Sequence, residues 1–188
     1  IRFTDSPARA ALPSVWLELA DGSLLVGGEY LCEKGTAKFT DLEGAVTSFS
    51  TKRIVAVRLK ESTEKIAAQW SELLASPRPG DVLVLRQGDS IDFLEGELGD
   101  VSAETVKFTS DGDLANVKRS KVDGAIYARG APKEYPAPLC QLTSHAGAKL
   151  NVSKVALADG KLKITILAGA AVECSIGSVR DLDFSAGK

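Results

Sequence analysis

The sequence has no methionine, a single histidine and only three cysteines in 188 residues. Cys32, Cys140 and Cys174 show no Cys-x-x-Cys spacing, and the histidine, His145, falls in a predicted hairpin turn. These residues are too few and too scattered to build a metal site. A Ser–His or Cys–His catalytic pair is equally unexpected. We therefore predict no enzyme active site, no metal and no cofactor.

The cysteines allow two interpretations. In the first, all three are small buried apolar residues. In the second, Cys140 and Cys174 form a disulfide, because both fall on strands that we assign to the same unit. The geometry that a disulfide requires does not follow from sequence spacing, so both interpretations stay open.

Long apolar runs and clusters of one charge are also missing. The longest apolar candidate, residues 164–172, is far shorter than the ~18–20 residues that span a bilayer. The net charge is −2, and no segment concentrates the lysine and arginine that a phosphate backbone demands. We expect no membrane span, and we do not expect nucleic acid as a partner. Because the chain starts at Ile1 and has no methionine, we expect a processed or excised part of a longer protein.

The sequence does contain a repeat. Residues 15–26, 82–94 and 139–152 each show an alternating apolar strand, a turn with glycine and a second strand. Glycine supplies the positive φ that tight hairpins need. An alternating third strand, another turn and a fourth strand follow in every copy. Units of this size lie near the lower limit for an independent core, so we expect the three to pack on one another.

Each copy closes with apolar residues at positions i, i+3 and i+5. We interpret the first step as a helical turn and the second as a strand. Five short strands with one helical turn before the fifth are typical of small SH3-like or Sm-like barrels. The sequence therefore predicts an all-β chain of three tandem five-stranded SH3-like barrels. The closing residues are Ile54, Val57 and Leu59; Val122, Ala125 and Tyr127; and Val179, Leu182 and Phe184.

One short helix is predicted between the first and second barrels. Its apolar residues recur at i, i+4, i+7 and i+8, with Ser62 as the N-cap and residues 76–80 as the stop. We expect it to plug the open end of a barrel or to bridge two barrels. The face consists of Ile66, Trp70, Leu73 and Leu74.

The predicted domain organisation follows from these elements. The first twelve residues show no strong period, so they are expected to form an edge strand or a loose extension. Residues 130–138 are rich in proline, which predicts an extended connector. The boundaries are 1–60 for barrel one with its extension, 61–80 for the helix and linker, 81–129 for barrel two, 130–138 for the proline-rich linker, and 139–188 for barrel three.

Few residues point to ligand chemistry. Asp89, Asp92, Glu95 and Glu97 crowd the second unit, and we interpret them as a solvated strand face rather than as acid–base catalysts. Glycines at 27–28 and 96 fall in the middle of a strand, where a small barrel bends its long strand.

Among the aromatic residues, Phe39 and Phe108 occupy equivalent positions in the repeat and are predicted core residues. Trp16 and Tyr30 do not recur in the other copies. They are therefore the candidate ligand-binding residues, for example as a stacking platform for a glycan.

Two family resemblances add to this picture. Residues 17–27, with the order strand, Asp21-Gly22, strand and Gly27, resemble the first half of the motif of Sm-like proteins. The second half, the short basic glycine motif that grips RNA in that family, is missing from all three units. This resemblance implies barrel topology without the RNA-binding residues.

The second resemblance is to secreted bacterial proteins. Residues 70–86 resemble the amino-terminal region of large secreted proteins that carry an NPCBM carbohydrate-binding module farther along. Residues 157–162 and 179–188 resemble the stretch just before that module, so the likeness covers about residues 15–188. It implies an extracytoplasmic, non-catalytic accessory region, with the sugar-binding module beyond Lys188.

The leading hypothesis from the sequence is a structural or interaction region, whose partner is another protein or a neighbouring domain of a longer chain. The first alternative is a carbohydrate-binding module in its own right, which would take a glycan at Trp16 or Tyr30. The second alternative is a nucleic-acid-binding protein of the Sm-like kind. An enzyme is the least expected class.

Overall fold

A computed structural model describes residues 12–76, 78–130 and 133–185. Within these ranges fifteen strands join in one antiparallel sheet, and a single α-helix follows the fifth strand. The prediction of an all-β chain with one short helix in this place is confirmed. The expected edge strand or loose extension at residues 1–11 lies outside the described residues. No helix of the described part is long and apolar enough to cross a membrane.

The strands fall into three groups of five, which we call the first, second and third units. The first comprises β1 (Val15–Leu19), β2 (Leu24–Glu33), β3 (Thr36–Asp41), β4 (Val46–Ser50) and β5 (Ile54–Arg58). The second comprises β6 (Asp81–Gln87), β7 (Ser90–Val101), β8 (Thr105–Ser110), β9 (Asp113–Lys118) and β10 (Val122–Ile126). The third comprises β11 (Cys140–Ser144), β12 (Lys149–Ala158), β13 (Lys161–Ile166), β14 (Ala171–Ser175) and β15 (Val179–Asp183).

Within every unit the strands pair in one order: fourth, third, second, first, fifth. The first unit runs β4-β3-β2-β1-β5. The second runs β9-β8-β7-β6-β10, and the third runs β14-β13-β12-β11-β15. The repeat predicted from the sequence is thus confirmed in the strand pairing, including its weakest copy.

The spacing of the closing apolar residues has a different cause from the predicted one. The helical turn expected from Ile54 to Val57 lies earlier, at Thr51–Arg53, and both residues belong to β5. The pairing of β5 with β1 shifts register at Val55, which is the extra residue of a β-bulge. Because of that extra residue, side chains three positions apart face the same side of the sheet. The corresponding bulge residues of the other units are Asp123 and Arg180.

The first unit lies between the other two. Strand β5 pairs with β10, and β2 pairs with β7 at Cys32 and Val101. At its other end β2 pairs with β12 through Leu24 and Lys149. One cluster of buried apolar residues contains members of all three units. The units therefore share a core, as their small size predicts.

The helix α1 spans Glu64–Ala75. Its N-cap is Thr63 and not the predicted Ser62, because Thr63 has the extended backbone of a cap and its hydroxyl oxygen accepts the amide of Ile66 at 3.4 Å. That amide is the third of the helix, the position that an N-cap side chain reaches.

The predicted apolar face of α1 is largely confirmed. Ile66, Trp70 and Leu73 are buried, whereas Leu74 is 37% exposed. The buried face packs on strands of both the first and the second unit, so the helix covers the sheet where the two meet. The strand residues beneath it are Val55, Ala56, Val82 and Val84.

Glycines in the long second strand make room for a phenylalanine. A Cβ atom at Gly27 would lie 2.3 Å from the carbonyl oxygen of Thr40 and 2.5 Å from the ring of Phe39. At Gly96 it would lie 2.0 Å from the carbonyl oxygen of Thr109. The prediction that the glycines are structural is confirmed for Gly27 and Gly96, where no side chain fits, but not for Gly28, where a Cβ would meet nothing within 4 Å.

Candidate functional site

A cavity of about 710 Å³ lies between the first and third units. Its size falls within the range of roughly 300–1,000 Å³ that is usual for ligand sites, which often occur between domains. The walls are mostly apolar and come from the cores of both units. They include Leu25, Phe39, Leu142, Leu150, Val172 and Val179.

The rim of the cavity carries acidic residues from the turn between β3 and β4. Asp41 Oδ1 accepts the amides of Glu43 and Ala45, both at 2.8 Å, and so fixes the turn. Glu43 reaches the third unit, where its carboxylate accepts the hydroxyl of Ser175 at 2.7 Å and its amide at 3.2 Å. No lysine or arginine occurs among the described residues that line the cavity. The rim therefore suits a neutral or cationic group better than an anion.

Cys174 also lines this cavity. All three cysteines are free thiols, so the disulfide interpretation of Cys140 and Cys174 is wrong. Strands β12 and β13 lie between β11, which carries Cys140, and β14, which carries Cys174. Burial, together with the carboxylates of Glu43 and Asp41, raises the pKa of the Cys174 thiol to about 11.

This pKa sets the reactivity of Cys174. At pH 8 we expect alkylation by iodoacetamide to be about 100-fold slower than for free cysteine, because the reactive thiolate is scarce below the raised pKa. The rate should rise with each pH unit towards 11. Mass spectrometry of the labelled peptides measures it, with urea-unfolded protein as the control. Labelling at the free-cysteine rate at pH 8 would contradict the raised pKa of this partly buried thiol.

The hairpin turn between β1 and β2 is buried against the third unit. Asp21 Oδ1 accepts the amide of Ser23 at 2.9 Å, and Oδ2 accepts the amide of Ala168 at 2.7 Å. Asn151 donates its side-chain amide to the Asp21 carbonyl at 2.7 Å and its backbone N–H to Ser23 Oγ at 3.0 Å. The Asp-Gly turn of the Sm resemblance is thus a junction between units in this chain.

Replacing Asp21 by alanine should loosen that junction. The amide of Ala168 loses its acceptor, which lowers the free energy of unfolding by about 1–3 kcal/mol. Hydrogen exchange at Ala168 should accelerate, and urea unfolding measures the stability. The control is Asp89→Ala in an exposed turn, with a change within about 0.5 kcal/mol. If both substitutions change the free energy of unfolding equally, Asp21 does not hold the junction.

A second polar cluster lies under the helix. Asp123 is fully buried and accepts the indole N–H of Trp70 at 2.6 Å. It also forms an ion pair with Arg86, whose guanidinium donates to the carbonyl of Glu61 at 2.9 Å. Burial lowers the pKa of the neighbouring Lys60. Each member of the cluster is held by another part of the chain, so the cluster fastens α1 to the sheet.

Tyr30 and Tyr127 meet where the first and second units pack, with their hydroxyl oxygens 2.5 Å apart. Burial raises the pKa of both phenols. Arg119 donates to the carbonyl of Tyr30 at 2.8 Å. The side chain of Tyr30 has no exposed surface, so its candidacy as a stacking platform for a ligand does not hold.

Trp16 is placed differently. It lies on β1, is partly exposed, and has the guanidinium of Arg58 5.6 Å from its ring centroid. It does not line the cavity, and the structure does not bring it together with Tyr30 into one surface.

The carboxylates of the second unit occupy a solvated face, as predicted. Asp89, Asp92, Glu95 and Glu97 are all exposed, and Glu95 pairs with Arg78. His145 is exposed at the mouth of the cavity. Among the described residues, no group of three or more His, Cys, Asp or Glu side chains is arranged to hold a metal ion.

Comparison with known proteins adds no relative: no family model, no curated protein and no solved structure matches the chain.

Sequence reasoning missed both the cavity and the Asp123 cluster. The cavity has no local signal, because its walls come from strands of the first and third units that are far apart in the sequence. Asp123 did leave a signal. It is a carboxylate in the middle of a buried strand, where the first unit has Val55 at the same bulge position.

Proposed function

We propose that this chain is a non-catalytic structural and interaction region, built from three tandem SH3-like five-stranded barrels packed into one body. It holds a neighbouring domain in place or binds a protein partner. The observation that carries the proposal is the set of junctions on both sides of the first unit. The β5–β10 pairing fixes the second unit, and the buried turn at Asp21 fixes the third.

The barrel interpretation is supported by features common to the three units. Each has the same strand order, a long second strand and a 3-10 turn before a bulged fifth strand. Such a sheet curls, and curling limits exposed strand edges.

The non-catalytic character is supported by how buried polar groups are used. Asp21, Asp123 and Tyr30 each bond to another segment of the chain and thereby join units or fasten the helix. A catalytic group needs to face a substrate instead. The extracytoplasmic placement, ahead of a carbohydrate-binding module, is supported by the resemblance to secreted bacterial proteins.

A distance measurement between units tests the proposal. Spin labels are attached through non-natural amino acids at Asp89 in the second unit and Leu157 in the third, which are both exposed. We expect one narrow distance distribution in double electron–electron resonance, because the first unit holds both neighbours. A broad distribution would show independently moving units and overturn the proposal. The same experiment on Asp21→Ala should give a broader distribution than the wild type.

A further inference from the structure

The cavity between the first and third units is bordered by strands with an unpaired edge. In the described part of the chain, β4 pairs only with β3, and β14 pairs only with β13. Thr47 of β4 lines the cavity, and so do Val172 and Cys174 of β14. A free strand edge presents N–H and C=O groups that pair with an extended segment of another chain.

Strand β14 offers the better edge over Ala171–Glu173, whereas at its end the amide of Ser175 already donates to Glu43. Val172 and Cys174 are two residues apart, so they lie on the same face of the strand, and both line the cavity. A strand added beside β14 places its own alternate side chains on that face. These side chains would then continue the apolar wall of the cavity.

The charge at the rim of the cavity indicates which residues the added strand carries. The rim of the cavity carries the carboxylates of Asp41 and Glu43, and the described lining contains His145 but no lysine or arginine to balance them. Charge complementarity across an interface favours a cationic partner and disfavours an anionic one.

We infer that the cavity binds an extended segment of a partner protein, which adds to the free edge of β14. The segment has apolar residues at alternate positions and a lysine or arginine beside them. The apolar side chains enter the cavity, and the basic residue lies against Asp41 and Glu43. This inference rests on the proposed interaction function and names the kind of partner that the site takes.

Fluorescence anisotropy with synthetic peptides tests the inference on the full chain. The probe is a labelled decapeptide of alternating valine and threonine with a lysine at each end. One control peptide carries glutamate in place of lysine, and the other is N-methylated at the amides that face the strand edge. We expect the probe to bind, and each control to bind about tenfold more weakly or worse.

Substitutions locate the binding. Val172→Lys should weaken binding of the probe by about tenfold or more, because it places a positive charge in the apolar wall. The matched control, Leu157→Lys, lies on an exposed position that does not line the cavity and should bind as the wild type does. Thermal unfolding checks that both variants fold, and Thr47→Lys replaces Val172→Lys if that variant does not. The probe should also protect Cys174 from alkylation.

Several outcomes overturn the inference. If the glutamate peptide binds as well as the probe, charge does not select the partner. If the N-methylated peptide binds as well as the probe, the segment does not pair with the strand edge. If the probe does not bind at all, both parts of the inference are wrong. Self-association that Val172→Lys abolishes assigns the surface to a second copy of the chain. Binding that appears only after removal of residues 1–11 assigns it to this chain's own segment. In each case the distance measurement decides independently whether the three units form one body.

Discussion

Replacing Asp123 by alanine is expected to lower the free energy of unfolding by about 3–5 kcal/mol. The substitution leaves the guanidinium of Arg86 without its counter-ion, although that side chain is only 17% exposed. It also removes the acceptor of the Trp70 indole N–H. Breaking one partner of a buried pair is costly because the remaining charge stays out of water. The midpoint of urea unfolding, with its slope, measures the loss.

Two further variants separate the charge from the hydrogen bond. Asp123→Asn keeps an oxygen that can accept the indole N–H, so we expect a smaller loss than with alanine. Adding Arg86→Met to Asp123→Ala should recover part of the stability, because no unpaired charge then remains. An additive loss in this double variant would contradict the account of the cluster. So would an Asp123→Ala loss no larger than that of the exposed control Asp89→Ala.

Replacing Gly27 by alanine is expected to cost about 3 kcal/mol, near the top of the range for overpacking a tight site. The added Cβ would meet the carbonyl oxygen of Thr40 at 2.3 Å, and backbone in a paired strand has little room to move. The ring of Phe39 would lie 2.5 Å from the same Cβ. The next residue supplies the control, because a Cβ at Gly28 meets nothing within 4 Å. Gly28→Ala should change the stability by less than about 0.5 kcal/mol.

The third unit shows how the same two positions are filled when the second strand carries a larger side chain. By strand register, Val152 stands where the first unit has Gly27, and Ile164 stands where it has Phe39. A smaller side chain on the third strand leaves room for a larger one on the second. Gly27→Ala combined with Phe39→Leu should therefore lose less than the sum of the two single changes. Strict additivity would mean that the ring does not cause the strain.

The periodicity of the chain predicted most of the architecture for a physical reason. In a half-buried strand, residues alternate between core and solvent. The alternation in residues 15–26 and 82–94 therefore predicts their strands directly. The amphipathic spacing of Ile66, Trp70 and Leu73 predicts the helix in the same way. Such signals are local, and each unit repeats them.

The parts that sequence reasoning missed depend on contacts between distant segments. A bulge and a helical turn both produce the i, i+3 spacing of Ile54 and Val57, and only the register of β5 against β1 separates them. The packing of Asp21 on Ala168 joins residues 147 positions apart. Tyr30 was proposed as a ligand-binding residue because it does not recur, but its side chain is buried and its hydroxyl contacts that of Tyr127 in the second unit.

In the proposed arrangement the three units form one body, and the first unit holds the other two. Backbone ¹⁵N relaxation over the whole chain tests it most directly, because tumbling reports on each unit separately. We expect one rotational correlation time for the strands of all three units, set by the full 19.8 kDa. A shorter correlation time for β11–β15 than for β1–β10 would contradict it.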